Sequence, residues 1–376
     1  MRILLVSPFP PGRDGIGDYA ARLAGGLQAD GHTTGAIRPT GGAAATHGVL
    51  AGLPPGRRAP AALAAARQWC PDVVHVQFAV SAFTTRIPAL LWLLRQLRHD
   101  GVEVVVTMHE VSRDIDSLRS VGRRLYRALG AGASRIIVHT EQARRTLVAQ
   151  GNDPASVVVV RHPTTEPPAP TTPPAELALR TGLAGRRLLL AFGFIHVDKG
   201  LDTLVGALDL VRRQRGYDDV SVVVAGAVRR RRGVFRVFEA RDHLHLRAVN
   251  RVIDRRSLGD AMVFTGYVPA GEIDSWFRLA DAVVLPYRRV EDSGVASIAR
   301  ATGRPVVASR LGGLAEGFAG TPWLCEPGDP TALADAITGC LMSEQGRTID
   351  LSERDAVPTL DAVVRATVDV YAQAAG

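Results

Sequence analysis

The sequence predicts an α/β protein built from two doubly wound domains, and three observations predict it. Short apolar runs alternate with stretches of helical periodicity along the whole chain. A proline-rich stretch, PTTEPPAPTTPPAE at 163–176, separates two halves that each carry this alternation. The length, 376 residues, exceeds what one compact core holds. Strands alternating with helices imply parallel sheets, and a cleft between two such domains is the default ligand site. Proline-rich sequence acts as a semi-rigid spacer, so the domains are set at 1–165 and 179–356 with a linker at 166–178. Residues 357–376 form a closing helix that crosses back to the first domain.

Composition narrows the class. With 46% hydrophobic and 22% charged residues the chain is globular rather than disordered. Cys70, Cys325 and Cys340 are scattered and odd in number, which argues against a disulfide framework or structural zinc and for a reducing compartment. The opening MRILLVSPFPPG reads as a first strand, not a leader, and no apolar run approaches the roughly 20 residues of a membrane span. The expected location is cytoplasmic, with peripheral contact at the inner face of the membrane allowed. A formal charge of +8 favours anionic partners, although arginine-rich composition also fits a GC-rich genome.

In the first half, 1–7 reads as strand one. The loop at 8–18 leads to a helix whose Ala20, Leu23, Ala24 and Leu27 share a face, with Asp18 as its N-cap. Gly15 and Gly17 stand just before it, where backbone can approach a ligand or simply make a tight turn. Residues 41–67 are Ala/Gly/Pro-rich and give no element. A strand follows at 72–78, a helix at 87–99, and a strand at 102–109 ending on His109. Strand ends on the carboxyl edge of a parallel sheet are where α/β proteins place chemistry, although a structural histidine is equally compatible. A helix at 118–129 carries Arg119, Arg123 and Arg127 with Arg124 alongside, opposite Leu118, Val121, Leu125 and Leu129. That face suits anionic lipid or plain solvent. Strands at 134–140 and 156–160 complete this half.

The second half has strands at 187–192, 220–225, 261–264, 282–286 and 305–309. Its helices fall at 201–214, 234–256, 271–280, 294–302 and 330–343, followed by one at 359–374. The organising stretch is LLLAFGFIHVDKGLDTL at 188–204: a strand, a turn bracketed by Gly193 and Gly200, then a helix. Lys199 stands where the helix begins. Unpaired helix-terminal N–H groups beside a lysine make a seat for phosphate, though a solvated turn lysine is the plain alternative and the P-loop spacing is absent.

In order and spacing, GIGDYAARLA, DVVHVQF, VVVTMHE, FGFIHVDKG, VFTGYVP, LADAVVLPY, EDSGVASIARATGRPVVAS, GGLAE and EPGDPTALADAI resemble the GT4-type glycosyltransferases over nearly the whole chain. The resemblance implies the GT-B fold, two facing Rossmann-like domains with a cleft between them. It further implies retaining transfer of a sugar from a nucleoside diphosphate-sugar to an acceptor hydroxyl. Carried over by position, Lys199 corresponds to the lysine that holds the donor diphosphate. Phe194 and His196 occupy places where the family often has an arginine, and His196 stands in as a weaker anchor. Gly17, with Gly15, matches the glycine loop facing the diphosphate, and His109 the strand-end histidine near the donor sugar. Tyr267 and Val268 match the loop touching the nucleobase, and Gly226 lies where the donor cleft is lined. Glu291 fits the first acid of E-x7-E. The second acid is missing, its place taken by Ala299 or Ile298, which puts nucleotide recognition in doubt. Asp292, Ser293, Gly294 and Val295 resemble the variant whose backbone amides meet the diphosphate.

A retaining glycosidase would need two carboxylates roughly 5 Å apart, and no such pair stands out. The expected chemistry is front-face attack, with the departing diphosphate taking the acceptor's proton and Lys199 stabilising the leaving charge. No cofactor is expected beyond the donor. No metal is expected either, since no DxD-like cluster follows a strand and His243 and His245 alone argue no site. The acceptor is open among sugar, lipid-linked and natural-product compounds. The alternatives are a nucleotide-sugar epimerase or cyclitol-coupling relative, an inactive partner subunit, or a basic nucleic-acid module suggested by Arg229 to Arg232. Scarce aromatic residues, 5%, count against nucleic acid as a partner.

Overall fold

The structure, a computed structural model, describes residues 1–10, 15–39, 48–163, 167–230, 236–343 and 358–375. The chain divides into two compact units: Met1–Pro163 together with Pro358–Gly376, and Thr164–Val357.

The first unit holds a seven-stranded parallel sheet of β1 (Arg2–Val6), β2 (Thr33–Arg38), β3 (Val49–Gly52), β4 (Val73–Phe78), β5 (Glu103–Met108), β6 (Arg135–Val138) and β7 (Val157–Val159). Their order is β3-β2-β1-β4-β5-β6-β7. Helices α1 (Gly15–Ala29), α2 (Pro60–Trp69), α3 (Val80–Phe83), α4 (Ile87–His99), α5 (Val111–Ala131) and α6 (Glu141–Ala149) connect them. The sheet explains why β1 reads as an almost unbroken apolar run. Along β1, Leu4 and Val6 enter one buried cluster while Ile3 and Leu5 enter another, so both faces of the strand are covered.

The second unit repeats the plan. Its six strands are β8 (Leu188–Phe192), β9 (Ser221–Ala225), β10 (Met262–Phe264), β11 (Ala282–Leu285), β12 (Val306–Ser309) and β13 (Leu324–Cys325), in the order β10-β9-β8-β11-β12-β13. The helices are α7 (Pro174–Arg180), α8 (Leu201–Arg212), α9 (Arg236–Arg255), α10 (Ile273–Leu279), α11 (Gly294–Ala301), α12 (Gly312–Gly317) and α13 (Pro330–Met342). Leu189 and Ala191 of β8 face one core, Leu188 and Leu190 the other. The final helix, α14 (Leu360–Ala375), returns to the first unit, where Val363, Val364, Val370 and Tyr371 join the cluster built on Ile3 and Leu5. Tyr371 is fully buried, and its hydroxyl accepts a hydrogen bond from His75 Nδ1 at 2.6 Å.

Several expectations need correction. The stretch 41–67 is not featureless: it contains β3 and most of α2, and 41–47 lie outside the described residues. The alanines of α2 hid its periodicity, because Ala62 and Ala66 are core residues despite their size. Strand β2 (TTGAIR) was hidden by its polar start and by Gly35, which lies against Trp69. Helix α1 begins at Gly15, so Asp18 sits in its first turn and is not the cap.

The arginine helix departs most. It starts at Val111, and Arg119 breaks it with φ 50° and ψ −121°. Of the four residues expected on the apolar side, Leu129 is buried and Leu125 packs against the core, but Leu118 and Val121 are 37% and 62% exposed, and Gly122 and Tyr126 are buried in their stead. Arg123, Arg124 and Arg127 remain exposed, but Arg119 is out of line with them. The proline-rich stretch ends in a helix, with Pro174 at the start of α7 where its missing N–H costs nothing. Of the arginine run, Arg231 and Arg232 lie outside the described residues.

Candidate functional site

In each sheet the chain order reverses once, between β1 and β4 and between β8 and β11, and open α/β sheets bind ligands beyond the carboxyl ends of strands at such points. Most residues singled out from sequence stand at these two places.

In the second unit, β8 ends at Phe192 and the chain turns through Gly193 (φ 103°), Phe194, Ile195 and His196 into a short 3-10 turn, Val197–Lys199. Gly200 (φ 66°) then starts α8, and a Cβ there would lie 1.9 Å from the Pro286 carbonyl oxygen. Gly226, just past β9, is equally confined, since a Cβ would lie 1.9 Å from the Gly193 carbonyl oxygen. Both glycines let strand ends approach closely enough to form one edge. Lys199 Nζ donates to the Tyr287 hydroxyl at 2.5 Å and lies 3.9 Å from the centre of its ring. Tyr287 follows β11 and is buried, so it fixes where the ammonium group stands. Sequence reasoning missed this partner because the contact depends on β8 and β11 being neighbours. His196 lies 3.8 Å from Asp198, and Phe194 is exposed with Arg229 over its ring at 5.6 Å.

Helix α11 begins in the same place. Its N-cap Ser293 accepts from the Ala296 N–H, and Asp292 accepts from the Ser293 N–H at 2.7 Å. The N–H groups of Gly294 and Val295 have no protein partner among the described residues. Val295 Cγ2 lies 3.7 Å from where a Cβ on Gly193 would stand, and the Arg288 N–H donates to the Asp198 carbonyl at 2.8 Å. The Lys199 turn and the start of α11 are therefore side by side. A shallow hollow open to solvent is lined on the turn's side by Gly193, Phe194, Lys199 and Tyr287 among others. An ammonium group beside open helix-terminal amides is suited to an anion such as phosphate.

Glu291 is largely buried, and its carbonyl accepts from the Gly313 N–H at 2.7 Å. Where a second acid would follow, Ala299 is fully buried and Ile298 packs against the same core, so neither position offers a polar contact. Beyond β10, Tyr267 is 55% exposed whereas Val268 is a core residue.

Gly15, Gly17 and His109 belong to the first unit. A Cβ on Gly17 would lie 3.3 Å from the Pro8 backbone, whereas Gly15 faces open space. His109 directly follows β5 and does not stand alone. Its Nε2–H donates to Gln77 Oε1 at 2.8 Å, and its Nδ1 lies 3.1 Å from Nε2 of His139, which follows β6. His162, after β7, stacks on His139 with ring centres 3.7 Å apart, and Tyr19 of α1 meets all three rings edge-on. Burial pushes His109 well below the usual histidine range, with the neighbouring histidines adding to it, and pushes His162 down to about 4. His139 and His162 were legible only as strand ends. No helix among the described residues is long and apolar enough to cross a membrane.

Two family models match: "Glycosyl transferase 4-like domain" over residues 14–163 and "Glycosyl transferases group 1" over residues 186–343. A D-inositol 3-phosphate glycosyltransferase of Xylanimonas cellulosilytica is 29% identical, covering 81% of this chain and 72% of its own. An enzyme of the same name from an Arthrobacter species is 30% identical over 65% of this chain, which spans only 55% of it. Among solved structures, Anabaena HepE in complex with UDP has a TM-score of 0.70 at 16% identity, covering 99% and 98% of the two chains. With both halves matched in order and the fold shared throughout, the chain belongs to the GT4-type glycosyltransferases of GT-B fold.

Proposed function

We propose that the protein transfers a sugar, with retention of anomeric configuration, from a nucleoside diphosphate-sugar to an acceptor hydroxyl. The observation that carries this reading is that the turn from Gly193 to Lys199, whose ammonium group rests on Tyr287, meets the start of α11 at the switch point of the second sheet, with Val295 Cγ2 3.7 Å from where a Cβ on Gly193 would stand. In the proposed reaction these groups hold the diphosphate and stabilise the charge that develops on it as the glycosidic bond breaks. The leaving phosphate takes the acceptor's proton, so the chemistry draws on no carboxylate nucleophile and no metal ion at the diphosphate. The Gly17 loop contributes to the sugar side of the reaction, and Tyr267 to the base.

The fold neighbour's bound UDP makes a uridine diphosphate-sugar the first donor to try. The relatives' name puts a phosphorylated cyclitol in the acceptor panel beside lipid-linked and natural-product alcohols. Exposed Val121 with Arg123, Arg124 and Arg127 supports peripheral contact with an anionic membrane. Sedimentation with phosphatidylglycerol vesicles, reduced in R123E/R124E, checks that part.

The test of the main reading is direct. A panel of nucleotide-sugars should yield one that raises the melting temperature, because a ligand bound only by the folded state stabilises it. Lys199→Ala should keep the fold and lose most turnover. Turnover near the wild-type rate in that variant overturns the assignment, and inversion at the anomeric carbon in the product overturns retention.

A further inference from the structure

We propose that His109, His139 and His162 form a binding site for one divalent transition ion of the zinc class. Each offers one ring nitrogen, and the three nitrogens lie within 4.8 Å of one another. Three imidazoles without thiolate or carboxylate suit zinc, copper, nickel or cobalt rather than magnesium or calcium.

The surroundings have the form of a metal site's supporting shell. A ligating histidine usually donates its far N–H to an oxygen, which fixes the tautomer and aims the other lone pair at the ion. His139 does so through Nδ1–H to the Val160 carbonyl at 2.8 Å, and His109 through Nε2–H to Gln77 Oε1 at 2.8 Å. Gln77 is itself held, since its amide nitrogen donates to His75 Nε2 at 3.1 Å. With these tautomers, His139 Nε2 and His109 Nδ1 turn their lone pairs toward the same space, 3.1 Å apart. Two nitrogens bound to one tetrahedral ion at ~2.05 Å stand about 3.3 Å apart, so this pair is already spaced for one ion. Neither ring nitrogen of His162 takes a hydrogen bond among the described residues, and its ring lies against that of His139. In the proposed site the half-buried His162, whose nitrogen lies within 4.8 Å of the other two, turns toward them when the ion binds.

Tyr19, edge-on to the three rings, walls the site with aromatic carbon. Three nitrogens complete three of four tetrahedral positions and leave one for water. The proposal is independent of the donor chemistry assigned to Lys199, which belongs to the other unit.

The experiment uses full-length protein dialysed against a chelator and titrated with Co2+, whose visible d–d bands report nitrogen ligation. One Co2+ per chain is expected, displaced by Zn2+, and Zn2+ should raise the melting temperature of the wild type. His162→Asn, at a half-buried position, and His139→Asn should each weaken binding roughly 100-fold or more, and Gln77→Leu by about 10–100-fold. His245→Asn, in the other unit, should leave it unchanged. Circular dichroism separates loss of the ion from loss of the fold. Absence of Co2+ bands in the wild type, or unchanged affinity in folded His162→Asn, overturns the proposal.

Discussion

Tyr371→Phe is the sharpest probe of how the C-terminal helix is held. The wild-type ring is fully buried in the first unit, and its hydroxyl receives the Nδ1–H of His75, which is itself only 1% exposed. Phenylalanine preserves ring packing and removes one oxygen, so the change isolates a single polar contact. The Nδ1–H of His75 is then left buried without an acceptor, at a cost of about 1–3 kcal/mol. For a unit of this size each kcal/mol moves the midpoint by roughly 2–4 °C. Taking about 2 kcal/mol, the first unit's transition should fall by roughly 4–8 °C in a calorimetric scan. A midpoint within about 1 °C of the wild type, well short of that fall, refutes the idea that this bond anchors the helix.

Other expectations follow from the same details. His75 is pushed down to about 3 by burial, so it stays neutral in the fold while the unfolded chain takes up a proton below its ordinary value of 6.5. Stability from this group is therefore intact above that value and is lost as pH falls toward 3; at pH 5 the loss is about 2 kcal/mol, visible in urea titrations at several pH values. Gly226→Ala pushes a methyl group against the Gly193 carbonyl and should lower the second unit's stability by about 1–3 kcal/mol in a denaturant titration. Tyr287→Phe keeps the ring under Lys199 but removes the oxygen that accepts its hydrogen bond. Transfer by that variant, measured as kcat/KM, should drop about 3–10-fold with the melting temperature nearly unchanged.

The parts of the fold legible in the sequence are those buried on both faces. Strands β1 and β9 read as nearly continuous apolar runs because alternate residues enter two different cores. Edge elements were harder. Strand β3 is partly exposed, and α2 buries alanines, so neither shows the contrast that periodicity needs. The kink at Arg119 was invisible because nothing in DIDSLRSVGRR marks a positive φ at an arginine. The candidate site divides the same way. Gly193, Lys199, Gly200 and Ser293 announce themselves as turn and cap residues beside strand ends. Tyr287 under Lys199, and His139 and His162 beside His109, required the strand order, because their partners come from separate segments of the chain.

The return of α14 to the first unit has a consequence for biosynthesis. Residues 1–163 leave the ribosome first, yet the surface that receives Val363, Val364, Val370 and Tyr371 stays uncovered until about two hundred further residues have been translated. During that interval the earlier-made half exposes an oily patch, which invites chaperone capture or self-association. A ribosome stalled anywhere in the second half would leave a nascent chain with the first sheet formed and one side of it still wet.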